Sequence, residues 1–526
     1  MDVLIHNIDV LDGSGSPAFR ADVGMERDRI AGIGDFSSTT AKMILDGTGL
    51  TAAPGFIDVH SHSDFTLPIN PRAESKVRQG VTTEVTGNCG LSPAPLDPVS
   101  GESVMATHPH LSWEWNTFGD YLDYLRQQGL SVNVVPLVGH GMIRGTGMGL
   151  ADRAPTENEM QAMKRLVAQA MEEGAWGLST GLIYPPGVYA TTDELVEQSR
   201  VVAKRGGFYF THIRGEAATL VKAVAEAIEI GERAELPVQI AHLKAQLPEN
   251  WPLMSQALAL IDNARARGLD VTADRYPYTA SSTSLSARLP AWAHDGGSSA
   301  LLERLQLPET RRRIKEDLSV RPDQWDTVLI AFSPNAPELE GLTVAEIAEQ
   351  RVAEPAETAL DILLETEIKV SIIHSSMNEE NLRRVLCHPA VMIGSDGSAL
   401  LPKGPLGQGK AHPRSYGTFP RVLGKYVREE KVLSLAEAVH KMSGLPAERL
   451  GLSDRGRLVR GMKADLVLFN ADTVRDRATF TRPYQYPTGI EYVFVNGQAV
   501  VTPEGHTGAL PGRILEREAQ DLKRKM

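Results

Sequence analysis

Cysteine is scarce in this chain of 526 residues: there are two, Cys89 and Cys387. That excludes a disulfide framework and predicts free or metal-bound thiols in a reducing compartment. Long apolar runs are missing as well. Without a run of about eighteen apolar residues, no membrane span is expected. The opening MDVLIHNIDVLDGSG lacks a basic start, and Asp and His interrupt its apolar run, so no signal peptide is expected and the predicted location is the cytoplasm. Basic clusters are absent too. A net charge of −12 argues against nucleic acid, whose binding needs grouped Lys and Arg. The one charge run, Glu516 to Met526, reads as a solvated terminal helix.

What remains is ordinary for a soluble globular protein: 42% apolar and 23% charged residues, in a chain too long for one simple domain. Its most informative stretch is PGFIDVHSHSDFTLPINPRAESKVRQGVTTEVTGNCGLSPAP, from Pro54 to Pro95. Phe56 to Val59 has strand character, and His60 and His62 follow two residues apart, on one side of an extended chain. A helix-like segment from Pro71 to Gln79 follows Asn70, a candidate cap. A second β run, Val81 to Val85, then leads into Gly87-Asn88-Cys89-Gly90. This is a βαβ unit with metal-capable residues at both strand ends. In parallel α/β folds those ends share the face where chemistry sits, and two imidazoles with a thiolate suit zinc.

Residues 1–53 read as short strands and turns, with partners at Ala464 to Phe469 and Ile490 to Val501; isolated hairpins are marginal, so the two ends are expected to form one small β-sandwich domain. Residues 54–450 alternate strands and helices. Strand candidates include Val132–Val138, Gly177–Ser179, Phe208–Thr211, Val238–Ala241, Val271–Asp274, Val370–Ile373 and Val391–Gly394. With the opening pair they number roughly eight or nine, which favours a (β/α)₈ barrel over a doubly wound sheet. About ninety-five residues separate Asp274 from Val370. The part at 285–341 is rich in Arg, Pro and Glu and reads as an inserted lid over the active face. Residues 451–510 return to the β-domain, and 511–526 form a tail.

Five predicted strand ends carry a metal-capable residue: His60 and His62, Cys89, His212 (FYFTHIRGE), His242 (VQIAHLKA) and Asp396 (VMIGSDGSAL). One such histidine is more often structural; agreement among five strand ends is what makes a metal site. His140 could stand behind the ligands, His374 could line the site, His108 and His110 read as solvated, and Cys387 as a small buried residue. Zinc with an open position brings the pKa of a bound water to about 7, and a nearby carboxylate, Asp396, can move the proton. Hydrolysis of an amide-type bond follows. Lys244, Arg414, Tyr184, Tyr276, Tyr278 and Ser282 are candidate contacts for an anionic substrate, most simply a carboxylate; Arg214 reads as a surface charge. Ile183, beside Tyr184, hints at an apolar side-chain pocket.

PGFIDVHSHSD, GNCG, THIRGE, IAHLKA and SDG followed by HPRSYGTFPRVLG resemble the amidohydrolase superfamily, and within it the D-aminoacylase (N-acyl-D-amino-acid deacylase) family, over nearly the whole chain. The resemblance implies a zinc hydrolase on a (β/α)₈ barrel. Cys89, His212 and His242 would hold a tight zinc; His60, His62 and Asp396, sharing Cys89, a weaker second metal. Asp396 would be general base and acid. Lys244, Arg414, Tyr184, Tyr276 or Tyr278, and Ser282 would bind the substrate carboxylate. Cys89 stands where many relatives bridge their metals with a carboxylated lysine, which argues against a hydantoinase or dihydroorotase. The Gly-rich segment 401–410 is longer than in some members and is expected to border the pocket. The alternatives are an amidohydrolase acting on a cyclic amide or an N-acetylated sugar, and a catalytically dead binding homologue.

Overall fold

The computed structural model describes residues 1–96, 101, 105, 108, 110–319 and 324–517. Most of the expected terminal helix, residues 518–526, lies outside these. The body is a closed barrel of parallel strands: β1 (Phe56–Asp58), β2 (Val81–Thr86), β3 (Asn133–Pro136, resumed at Val138–Gly139), β4 (Gly177–Gly181), β5 (Phe208–His212), β6 (Val238–Ile240), β7 (Val271–Arg275) and β8 (Val391–Ile393). Every residue of β2, β4 and β5 is buried, as strands covered on both faces require. Helices such as Glu157–Glu172, whose cap Thr156 forms a reciprocal box with Glu159, and Leu220–Ala234 cover the outside.

The circle closes between β8 and β1, where no ladder forms. A single bridge, Ser61 to Gly397, marks the seam, with Asp396 N–H donating to the His60 carbonyl (2.7 Å) and His62 N–H to that of Gly397 (2.9 Å). Lys76 pins this seam from below. Its buried ammonium donates to Asp58 (2.8 Å), Ser395 Oγ (2.7 Å) and the Gly397 carbonyl (2.9 Å), and lies 3.2 Å from Glu84. Burial opposes its charge, but Asp58 and Glu84 outweigh that and raise its pKa.

Both chain ends join one nine-stranded sheet. Thr51–Pro54 pairs antiparallel with Leu466–Phe469, and Gly55 then leads straight into β1. Val3–Val10 is one continuous strand across its polar middle: a bulge at residues 5–8, with Asn7 at φ 54°, keeps Ile5 and Ile8 both buried.

The Val370–Ile373 run is not a barrel strand. Ser371–Ser375 pairs antiparallel with both Ala280–Ser284 and Val328–Phe332, forming a separate sheet between β7 and β8. That unit has its own core, including Leu301, Ile314, Ile330, Leu360 and Ile372. Segment 401–410 packs on it, Lys410 N–H donating to the Ala331 carbonyl (2.6 Å), and does not line the metal-ligand cavity described below. No helix among the described residues is long and apolar enough to cross a membrane.

Candidate active site

The six metal-capable residues meet at the C-terminal mouth of the barrel in two groups that share one thiol: His60, His62, Cys89 and Asp396; and Cys89, His212 and His242. Within each group the candidate donor atoms lie within 4.8 Å of one another. Cys89 Sγ is 3.4 Å from His60 Nε2 and 3.7 Å from His242 Nε2, which in turn is 2.9 Å from His212 Nδ1. Asp396 Oδ1 is 3.3 Å from His60 Nε2 and 3.0 Å from His62 Nε2.

Local backbone geometry aims these groups. Cys89, His242 and Asp396 all have positive φ (52°, 33° and 53°), a region that side chains rarely adopt and that clusters at functional sites. The GNCG turn needs its glycines. A Cβ on Gly87 would lie 2.0 Å from the Leu137 carbonyl oxygen, and one on Gly90 would lie 2.7 Å from the Gly181 nitrogen. Both positions also have φ 77°.

Carboxylates behind the ligands fix their rings. Asp274 Oδ1 accepts from His60 Nδ1 (3.0 Å) and from the His242 backbone N–H (2.9 Å), while Gln239 donates to Oδ2 (3.0 Å). Glu216 Oε1 lies 3.1 Å from His242 Nδ1 and accepts from Lys244, whose ammonium also donates to that Nδ1 (2.8 Å), and Oε2 accepts from Gln246 (2.8 Å). With Asp274 on its Nδ1, His60 has Nε2 left for a metal, and His242 turns its Nε2 to the same thiol. Neither carboxylate stood among the sequence candidates. Glu216 was visible as the acid four residues after His212, and Asp274 as the polar end of a strand.

Charge in the cluster is arranged for a cation. Burial pushes the Cys89 thiol up, yet the charge of His60 and hydrogen bonds from His212, His242 and His60 hold it well below the usual thiol range. Asp396 is likewise held well below the carboxylate range against burial, by Arg414, His60 and His242. His62 rises to about 9 despite burial, through its hydrogen bonds to Asp396 and Cys89. Two buried anions thus draw positive charge onto His60, His62 and His242, the charge a divalent ion would supply, while burial and the charge of His242 lower the pKa of His212.

A cavity of about 300 Å³ covers the cluster, lined among others by Tyr184, Lys244, Tyr276, Ser282 and Arg414. Both cations already hold protein anions, Arg414 on Asp396 Oδ2 (2.6 Å) and Lys244 on Glu216. Tyr276 is fully buried with its hydroxyl unpartnered, and Arg414 sits over its ring (5.0 Å). Tyr184 donates to or accepts from Thr283 Oγ1 (3.0 Å). Tyr278 does not reach the cavity; it packs edge-on to His412 (5.2 Å) with Arg421 over its ring (4.7 Å).

The other candidates separate similarly. His140 is bonded to Glu194 (3.1 Å) away from the ligands. Arg214 clamps Glu226 (2.9 Å) and the carbonyls of Val188 and Ala190. His108, expected in solvent, stacks on Phe65 (4.3 Å). Cys387 is exposed, not buried. His374 lines an adjoining cavity of about 470 Å³, as does Arg288, which sequence reasoning missed. That chamber meets the metal-lined one at Ile183, Gln246, Ser281 and Thr283.

Residues 44–501 match the model of the amidohydrolase family. The chain belongs to that family. It is 40% identical over 522 residues to the N-acyl-D-glutamate deacylase of Alcaligenes xylosoxydans xylosoxydans, covering 99% of this chain and 97% of that one. A crystal structure of D-aminoacylase superposes with a TM-score of 0.85 at 37% identity, covering 98% of this chain and 100% of that one. The N-acyl-D-glutamate deacylase of Bordetella bronchiseptica, complexed with zinc and a phosphonate mimic of the tetrahedral intermediate, superposes equally well (0.85) at 35% identity, with the same coverage. A D-hydantoinase, 16% identical with a TM-score of 0.55, shares the fold.

Proposed function

We propose that this amidohydrolase is a zinc-dependent deacylase of N-acyl-D-amino acids, and that it prefers acidic side chains. The observation that carries the reading is the shared-thiol cluster facing a cavity flanked by Lys244 and Arg414. Cys89, His212 and His242 would hold one zinc; His60, His62 and Asp396, with Cys89 shared, would hold a second metal more weakly. Zinc supplies Lewis acidity when bound, making hydroxide available near neutral pH and polarising the amide carbonyl.

Asp396, ionised at neutral pH, takes a proton from the attacking water. It returns that proton to the amide nitrogen as the carbon–nitrogen bond breaks, leaving a carboxylate and a free D-amino acid. Arg414 and Lys244 share themselves between their protein carboxylates and the substrate's, with the Tyr276 hydroxyl as a further donor. The side chain enters the Arg288 chamber. Burial and the nearby Arg288 lower the pKa of His374 to about 3, which leaves Arg288 and Glu249 as the charged groups lining that chamber. Glu249 is exposed to solvent and Arg288 half-buried, so Arg288 is the one that meets a side-chain carboxylate, in place of the apolar group that Ile183 suggested. Carboxylate, amide nitrogen and side chain then have three fixed places around the α-carbon, which sets the enantiomer. The two unpaired cysteines suit a reducing, cytoplasmic setting.

Amine release from matched N-acetyl-D- and N-acetyl-L-amino acids, with and without added zinc, tests this. Strong D preference, highest for glutamate or aspartate, is expected. Equal rates for both enantiomers, or release from ring amides alone, would overturn it.

A further inference from the structure

A third chamber, of about 240 Å³, opens off the metal-lined cavity where the two share Leu91, Tyr184 and Ser284. Leu91, Met142, Leu150, Pro185, Leu301 and Ile368 make its wall largely apolar. No Lys, Arg, Asp or Glu stands among the described residues that line it. Leu91, two residues past Cys89, is 39% exposed and turns that surface toward both cavities. Nothing in the chemistry above uses this space.

We propose that the chamber receives the acyl chain of the substrate, and that linear acyl groups of roughly six carbons are better substrates than acetyl. This rests on the deacylase reading and adds the acyl class to it. The argument is one of direction. Lys244 follows β6 and Arg414 follows β8, so the α-carboxylate is held on that side of the mouth. The carbonyl carbon must lie over the ligand cluster. Its remaining bond, to the acyl tail, points away from the nitrogen and so away from the anchors, toward the loops after β2, β3 and β4. Leu91 lies past β2, Met142 in the helix His140–Met148 that directly follows β3 with Leu150 just beyond it, and Pro185 past β4. The Arg288 chamber, reached past Ala217 and Gln246 on the loops after β5 and β6, lies on the anchor side and suits the amino-acid side chain. An apolar wall without charge repels a carboxylate and gains from each methylene it covers. At roughly 30 Å³ per small group, the volume holds a chain of that length.

The test is a chain-length series, N-acetyl-, N-butanoyl-, N-hexanoyl- and N-decanoyl-D-glutamate, with the zinc-loaded enzyme. Each methylene should raise kcat/KM about fourfold up to hexanoyl, after which the gain should stop. Leu150→Trp should flatten the hexanoyl-to-acetyl ratio. Should that variant not fold, inhibition of the wild-type enzyme by free hexanoate and acetate reads the same contact, and hexanoate should bind on the order of 10²-fold more tightly. A flat or falling series in enzyme that cleaves N-acetyl-D-glutamate, or hexanoate no tighter than acetate, overturns the acyl chamber and leaves the deacylase reading intact. No cleavage of any member, by protein that holds zinc, overturns both.

Discussion

The barrel and the sheet inserted between β7 and β8 treat the mouth of the site in opposite ways. The barrel contributes metal-capable residues at its strand ends, all buried but the half-buried His62, with Cys89, His242 and Asp396 on left-handed backbone and Asp274 and Glu216 behind the rings. The insertion is antiparallel, has its own core, and contributes half-buried groups such as Ser282, Thr283 and Arg288 around the chambers. Rigid ligands on a closed sheet suit chemistry that tolerates little displacement, whereas a separately folded cover can vary its lining without moving the metals. On the proposed function, turnover rests on the barrel, and the insertion adds Arg288 to select the side chain.

Breaking the barrel side should have the largest effects. Cys89→Ala removes the one donor common to both groups. Zinc content measured on the purified protein should fall to near zero, and turnover by roughly 10⁴-fold or more, with circular dichroism unchanged. Zinc retained at the wild-type level would remove Cys89 from the site. Asp396→Ala leaves the Cys89, His212 and His242 group intact. It should keep one zinc and lose roughly 10² to 10⁴ in kcat; a near wild-type rate would rule it out as the proton carrier. Glu216→Gln probes the support behind His242. Zinc affinity in a chelator titration should weaken by roughly 10- to 100-fold while the fold survives, and unchanged affinity would leave Glu216 with Lys244 alone.

The smallest effect sharpens the insertion side. His374 is neutral in the fold, its pKa lowered by burial and by Arg288 to about 3 from an ordinary 6.5. Below pH 6.5 the unfolded chain takes a proton that the native state refuses, so stability should fall as pH drops through that value. The loss from this group is about 1 kcal/mol between pH 6.5 and 5.5. Denaturant melts of wild type and His374→Gln should differ by that slope; parallel profiles would show the ring to be solvated.

The same contrast explains how much was legible in the sequence. Metal-capable residues at barrel strand ends each follow an apolar run, so His60, His62, Cys89, His212, His242 and Asp396, which the fold brings together, could be picked out before any fold was known. The insertion obeys no such rule. Ser371–Ser375 has the composition of a barrel strand, and only its pairing partners show that it runs antiparallel in a different sheet. Tyr276 and Tyr278 are indistinguishable by spacing, yet past the end of β7 alternation no longer decides direction, and one meets the cavity while the other packs under Arg421. Arg288 comes to the mouth from an insertion helix turn, a juxtaposition that tertiary packing alone creates.

Steady-state kinetics of Arg288→Ala on N-acetyl-D-glutamate and N-acetyl-D-leucine, with zinc measured on the same sample, test the division most directly. The account predicts wild-type zinc, a KM for the glutamate derivative raised roughly 10- to 100-fold, the loss of one charge-assisted contact, and little change for the leucine derivative. Loss of zinc, or an equal fall in kcat on both substrates, would contradict it.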